Sequence, residues 1–371
     1  MLARVRVIML VDFDYFFAQC EELRNPSLKD KPVVVGVYSG RSEDSGAVST
    51  ANYVARKYSV KSGMPIAFAK KKLEDVEAVF LPVDYSFYEK ISDEIMNILR
   101  IYADRFEQVG VDEAFLDVSQ KVNESFDKAK ALGAEIKEEI KAQKKLTCSI
   151  GIGPNKLVAK IAADYQKPDG LTVIAPDEVN SFLSPLPIEK LIGVGAKTKE
   201  KMQTLGINTI GDLAKRDVQK LIEVFGKSQG TYFHYAALGI DNDSVQEKGE
   251  AESISRIATL REDTMELGAL VDKTNQLCDE IYGDLSQRKL GFKTISIIAI
   301  MTDLSTHSRS MTFETPKSDR SLLKEKAKEL FEKFIKESGL KMRRVGVKVS
   351  GLTKEQKSQK QLTSFFETAD K

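Results

Sequence analysis

Residues 5–11 form a nearly unbroken apolar run that stops at Asp12. A run this short and this continuous suits a strand buried on both faces, since a half-buried strand alternates and a helix needs more residues. It sets a carboxylate at the tip of a buried strand, and the rest of the chain must be built around that. About a hundred residues later the apolar segments 106–111 and 114–118 are joined at Asp112-Glu113, the pattern of a tight hairpin with acids at its turn. In an antiparallel sheet a hairpin tip can meet a neighbouring strand end. Three carboxylates placed so repel one another unless cations are bound, and two Mg²⁺ ions would suit in-line phosphoryl transfer. The same dipeptide also marks an ordinary solvated turn, so spacing alone leaves both readings open.

The remaining pattern is mixed. A helix is predicted through Gln19 to Leu23, ending before Pro26, then a strand over 33–37. A helix over 88–102 carries Ile91, Ile95, Ile98 and Leu99 on one face. A charged helix over 126–142 leads to the alternating strand Leu146, Cys148, Ile150, Ile152. Pro154-Asn155 open a further helix, and Lys167-Pro168-Asp169-Gly170 is a turn. This order suits a split βαβ, ferredoxin-like sheet. Glycines break 185–239 into short helices, and 241–252 is polar and acidic without periodicity, as in a linker. Strand 254–260, helix 267–285, strands 294–301 and 308–313, helix 322–335 and strand 345–349 then make a second βαββαβ unit.

Bulk numbers narrow the chemistry. Cys20, Cys148 and Cys278 are scattered, and there are only 2 histidines, so a disulfide framework, a zinc site and a Ser-His-Asp triad are all disfavoured. Any metal would sit among oxygens, which favours Mg²⁺ or Mn²⁺. The net charge of +1 conceals a split: 239–285 holds 4 basic and 12 acidic residues, 286–348 holds 15 and 7. That basic section could grip a polyanion or simply be a solvated surface. No run approaches a membrane span, and 7–11 is too short for a signal-peptide core, so a cytoplasmic protein without membrane attachment is expected.

Three longer motifs carry a resemblance. Val11-Asp12-Phe13-Asp14-Tyr15-Phe16-Phe17-Ala18, the stretch from Gly46-Ala47-Val48-Ser49-Thr50 through Tyr53 and Arg56-Lys57, and Val111-Asp112-Glu113-Ala114-Phe115-Leu116-Asp117 resemble the Y-family, or translesion, DNA polymerases, archaeal DNA polymerase IV branch. The likeness runs in order through Lys167-Pro168-Asp169-Gly170 to the C-terminal unit. It implies an α+β, right-hand polymerase: palm 1–15 and 83–174, fingers 16–82, thumb 175–240 with a helix-hairpin-helix, linker 241–252, little finger 253–352 and a tail 353–371.

It also implies roles. Asp12, the Phe13 carbonyl, Asp112 and Glu113 would hold two Mg²⁺ ions, with Mn²⁺ as a substitute, and the three acids would be catalytic. Phe17 would be the steric gate against a ribose 2′-hydroxyl. Phe16, Phe17, Thr50, Tyr53, Arg56 and Lys167 would contact the dNTP, while Ala47, Ser49, Gly63 and Val83 leave room around the nascent base pair. Asp14 and Asp117 would be structural. Gly193 and Gly195 would offer backbone amides to a DNA phosphate, and Arg288, Lys289, Lys293, Arg343 and Arg344 would bind the duplex backbone. Gln359, Leu362, Phe365 and Phe366 resemble a motif that docks on the PCNA sliding clamp. The expected partners are primer-template DNA, dNTP and clamp, with the chain a monomer. The activity implied is low-fidelity nucleotidyl transfer to a primer 3′-hydroxyl without proofreading.

Other readings meet obstacles. Ala196 stands where a Walker A loop needs glycine, and no third glycine completes a Rossmann fingerprint. A nucleotidyl cyclase would share the sheet and acids but leave the clamp motif and thumb without purpose. A non-catalytic scaffold would not need Asp12, Asp112, Glu113, Arg56 and Lys167 together.

Overall fold

The structure is a computed structural model and describes residues 5–247, 249 and 251–354. The chain divides into two units, Met1–Val37 with Ala47–Lys248 and Tyr38–Gly46 with Gly249–Lys371. The strands before residue 240 are β1 (Ile8–Phe13), β2 (Val33–Tyr38), β3 (Gly46–Ala51), β4 (Val79–Pro82), β5 (Arg105–Gln108), β6 (Glu113–Asp117), β7 (Cys148–Gly153) and β8 (Leu171–Val173). Those after it are β9 (Ser253–Thr264), β10 (Leu290–Met301), β11 (Thr306–Lys317), β12 (Met342–Ser350) and β13 (Thr353–Lys354).

The N-terminal sheet runs β5-β6-β1-β7-β8. β1 lies antiparallel between β6 and β7, and β7 pairs with β8 in parallel. Both faces are covered. Met9 and Val11 share a core with Ile95, Leu99, Ile136 and Ile140 of the helices Tyr85–Ile101 and Phe126–Lys144. Ile8 and Leu10 pack on the other side with Phe115, Ala159 and Ala163. That is why β1 reads as a continuous apolar run. The helix Lys156–Tyr165 begins where the Asn155 side chain accepts the Val158 amide at 2.9 Å. It approaches β7 so closely that a Cβ on Gly151 would lie 2.0 Å from the Ala159 carbonyl oxygen.

A smaller sheet, β3-β2-β4, carries its own apolar cluster of Val34, Val48, Ala55, Val60, Ala69 and Leu73. β4 and β8 have no counterpart in the sequence reading: β4 ends in Pro82 and β8 has 3 residues, too short to show a period. The hairpin also differs slightly. Glu113 is the first residue of β6, and the turn lies before it, with the Val109 amide donating to the Glu113 carbonyl at 3.0 Å.

The stretch expected to be a linker is in part fixed. Arg6 donates to the main-chain carbonyls of Asp241 and Asp243, the Gln246 amide donates to Glu107, and Val245 is 1 % exposed in the cluster with Ile8 and Phe115. Asp241 accepts the Leu157 amide at 3.1 Å, and Glu247 pairs with Arg100. Residues 241–247 are thus a strap bound to the N-terminal sheet. One buried valine and scattered polar contacts hold it, neither of which produces periodicity.

The C-terminal sheet, β11-β10-β12-β9, is antiparallel throughout, and β13 pairs with β10. The helices Leu267–Arg288 and Arg320–Glu337 cover one face, burying Ile295, Ile297, Val345 and Val347 with Leu277, Ile281 and Phe331. β10 alternates buried and half-buried residues because its other face is not packed against these helices.

Candidate active site and nucleic-acid faces

β1 delivers Asp12 to the sheet edge, directly across from Glu113 on β6 and Ser149 on β7. The Phe13 amide donates to the Asp112 carbonyl at 2.8 Å, clamping the end of β1 to the turn before β6. The backbones of the three acids therefore lie side by side. Their side chains do not form a ready chelate: among the described residues no three His, Cys, Asp or Glu groups could hold a metal ion as they stand. Two lysines occupy two of these acids instead. Lys167 Nζ lies 2.7 Å from Asp12 Oδ1 and 2.9 Å from Asp164 Oδ1, and Lys160 is ion-paired with Glu113.

Burial pushes the Asp12 carboxyl up to about 6 against the pull of Lys167, and Asp164 and Glu113 add to the rise. Asp112 is also raised, by burial and by Glu113 beside it. Burial disfavours charge on Lys167, but Asp12 and Asp164 outweigh it and hold the ammonium above its usual range. Burial thus disfavours the ionised forms of Asp12 and Asp112, a penalty that bound cations relieve. The donors, three carboxylates and the Phe13 carbonyl, are all oxygen and suit hard ions such as Mg²⁺ and Mn²⁺.

The next acid, Asp14, is 1 % exposed and accepts from Ser149 Oγ at 2.8 Å, Thr147 Oγ1 at 3.0 Å and the Asp169 amide at 2.9 Å. It joins β1, β7 and the turn that carries Lys167. Asp117 accepts from the Ser119 amide and hydroxyl. Both acids have structural work.

Phe17 is half-buried and stacks on Tyr88, with ring centroids 4.4 Å apart and planes at 17°. Phe16 is different. The residue is 2 % exposed, its ring packed against Phe13 in the sheet core, so any nucleotide contact there falls to its main chain. Thr50 ends β3 with Ala51, and Asn52 caps the short helix Tyr53–Arg56 by accepting the Ala55 amide at 3.0 Å. That cap positions Tyr53 and Arg56 together, with the guanidinium 4.8 Å from the Tyr53 ring centre and Nε donating to the Ala51 carbonyl.

In the segment of short helices, Gly193 has φ +86°, a conformation that favours glycine, and Gly195 caps the helix Ala196–Thr204. The Tyr232 hydroxyl donates to the Ile192 carbonyl at 2.8 Å. A cleft of 740 Å³ is lined by Glu113, Lys156 and Lys160 together with Ile192, Tyr232 and Tyr235. Sequence reasoning passes over Lys160. Its signal is Lys156 and Lys160 one helical turn apart just after an N-cap, facing Glu107 and Glu113.

Arg288 and Lys289, at the end of the helix Leu267–Arg288, are exposed, as are Lys293 and Arg344 on the C-terminal sheet, and Arg343 is half-buried at a break in strand register between Met342 and Arg344. Arg344 and Lys348 share the face away from the helices, and Lys348 stands opposite Ser296, which in turn pairs with Ser310. Lys348 is likewise absent from the sequence-based assignment, although its alternation with Val345, Val347 and Val349 marks it as outward. Gln359, Leu362, Phe365 and Phe366 lie outside the described residues.

Comparison with known proteins agrees with this geometry. Residues 11–164 match the impB/mucB/samB family, 251–364 its C-terminal domain, and 189–241 the thumb domain of DNA polymerase iota. DNA polymerase IV of Nitrosopumilus maritimus is 43% identical over 97% of this chain and 99% of its own. That of Methanosarcina acetivorans is 46% identical over 98% and 99%. Among solved structures, a Y-family DNA polymerase chimera of Dbh and Dpo4 matches with a TM-score of 0.88 at 36% identity, covering 94% of this chain and all of that one. An insertion ternary complex of Dbh DNA polymerase matches at 0.68 with the same identity and coverage. The chain belongs to the Y-family DNA polymerases, in the DNA polymerase IV (DinB) group. It is a DNA-directed DNA polymerase of the translesion type, with the right-hand fold and C-terminal little finger of that family.

Proposed function

We propose that the edge of the palm sheet at Asp12, Asp112, Glu113 and the Phe13 carbonyl holds two Mg²⁺ ions, which Mn²⁺ can replace, and transfers a nucleotide from dNTP to a primer 3′-hydroxyl. The observation that carries this is the cross-strand pair Asp12–Glu113 with a lysine ammonium on each acid. When bound, the ions lower the pKa of the attacking hydroxyl and neutralise the leaving pyrophosphate. Lys167 and Lys160 stand in for part of that charge and must release the acids when the site is loaded. Lys167 then turns to the triphosphate with Arg56, Tyr53 and Thr50, where two fixed cations meet charge as the bond from the α-phosphorus to pyrophosphate breaks. The Phe16 and Phe17 amides, in a first helical turn with no acceptors of their own, add donors. Phe17, braced on Tyr88, closes the space beside the sugar C2′.

In this reading the palm is 1–15 and 83–174, the fingers 16–82, the thumb 175–240 and the little finger 253–352. Primer-template lies along Gly193 and Gly195 and over Arg288, Lys289, Lys293, Arg343, Arg344 and Lys348. The tail binds a PCNA-type clamp through Gln359, Leu362, Phe365 and Phe366, and the protein works as a cytoplasmic monomer. No described helix is long and apolar enough to cross a membrane.

The test is primer extension with Glu113→Gln and Asp112→Asn, alongside Mn²⁺ titration followed by electron paramagnetic resonance. Loss of extension by about 1,000-fold or more, with weakened Mn²⁺ binding and unchanged DNA affinity, is the expected result. Full activity in either variant removes the assignment.

A further inference from the structure

Residues 45–73 contain 6 basic side chains and no acidic one. Within them the helix Ile66–Lys72 turns Ile66 and Ala69 inward, and Ala69 packs with Leu73, Val48 and Val60. Its opposite strip carries Phe68, 62% exposed, with exposed Lys71 and Lys72 three and four residues on. Side chains at that spacing are neighbours on a helix surface. Among the described residues neither lysine has an ion-pair partner. Phe68 is the most exposed aromatic side chain among the described residues, and it stands beside unpaired cations.

The strip has a definite address. Pro65, which caps this helix, bridges Ala47 on β3, and the amides of Val48 and Gly63 exchange hydrogen bonds with Met64 and Val48 carbonyls at 2.8 Å. The helix therefore leaves directly from the strand whose Ala47 and Ser49 are assigned to the nascent base pair. Lys57 and Lys61, both exposed, lie between the two.

We propose that Phe68, Lys71 and Lys72 form a site for the single-stranded template ahead of the active site, one base stacking on Phe68 while adjacent phosphates meet the lysines. The charge calls for a polyanion, and the bare ring calls for an unstacked base, which duplex DNA cannot offer. This rests on the polymerase reading of the chain, and the test separates the two.

The full-length protein would be titrated by fluorescence anisotropy against primer-templates with one duplex and template overhangs of one or about ten nucleotides. Wild type should bind the longer overhang on the order of 10-fold more tightly. Phe68→Ala and the Lys71→Glu/Lys72→Glu double variant should lose that increment, keep the affinity for the short overhang, and still add the first nucleotide. Phe68→Trp should retain it, and only the lysine variant should flatten the salt dependence. Equal wild-type affinity for both overhangs, an increment surviving in the variants, or equal weakening on both DNAs would overturn the proposal. So would sedimentation showing that Phe68→Ala dissociates an oligomer, since a second copy would then be what covers the ring. Failure of the wild type to add any nucleotide would instead count against the polymerase reading.

Discussion

The palm sheet and the C-terminal sheet are both mixed α/β layers built around split βαβ connections, yet they present opposite chemistry. Helices cover the palm sheet on both faces, so its central strand β1 is apolar until its end, where Asp12 faces Glu113 across the sheet. Helices cover the C-terminal sheet on one face, leaving serines, Arg344 and Lys348 spread over the other. Covering decides where function can lie. A doubly covered sheet concentrates chemistry at a point, and a singly covered one offers an area suited to a long charged partner.

The sharpest challenge to the point-like half is Phe17→Ala. Opening the space beside the sugar should raise ribonucleotide incorporation relative to deoxyribonucleotide on the order of 100-fold, measured by single-nucleotide insertion kinetics. Unchanged selectivity would detach the sugar gate from the strand-end site. A matched pair of core changes comes next. Gly151→Ala in β7 would drive a Cβ into helix backbone and should cost about 3 kcal/mol in denaturant unfolding. Gly346→Ala in β12 meets the Ile257 side chain, which is 41% exposed and can yield, and the Arg256 carbonyl oxygen at 3.0 Å, and should cost less, about 1 kcal/mol. Equal costs would contradict the difference in covering.

For the open face, Arg344→Glu with Lys348→Glu should weaken duplex binding and reduce the slope of log affinity against log salt by about 2, near 0.9 for each phosphate no longer neutralised. A steady slope would move the DNA elsewhere. The smallest effect concerns Asp279, whose carboxyl Arg320 and Lys324 hold well below its ordinary value. A lowered folded-state pKa stabilises above the unfolded value near 3.8 and loses that contribution as pH falls below it. Asp279→Asn should therefore flatten acid unfolding of the C-terminal unit below pH 4 and change stability at neutral pH by at most about 1 kcal/mol. The sign is opposite to that of Asp12, whose raised pKa makes the ionised form the less favourable one.

Much of this was legible in the chain. The run ending at Asp12, the acids at the hairpin and the alternating second unit each reflect burial, which sets hydrophobic period directly. What escaped depends on single contacts. Val245 is one apolar residue in an acidic stretch, and nothing local shows that it is buried. Phe16 and Phe17 are identical in type and adjacent, so only the fold separates the core ring from the half-exposed one. The lysines holding Asp12 and Glu113 come from a helix and turn some fifty to a hundred and fifty residues away, and pairings at that distance leave no periodic trace.

Asp14 has a consequence of a mechanical kind. It sits two residues beyond Asp12 and, through the Asp169 amide, steadies the loop that bears Lys167. One buried carboxyl thus serves as a common rivet for both halves of the proposed site. Heat or denaturant that loosens it should disable both proposed functions of the site in the same step, so the enzyme is built to fail whole.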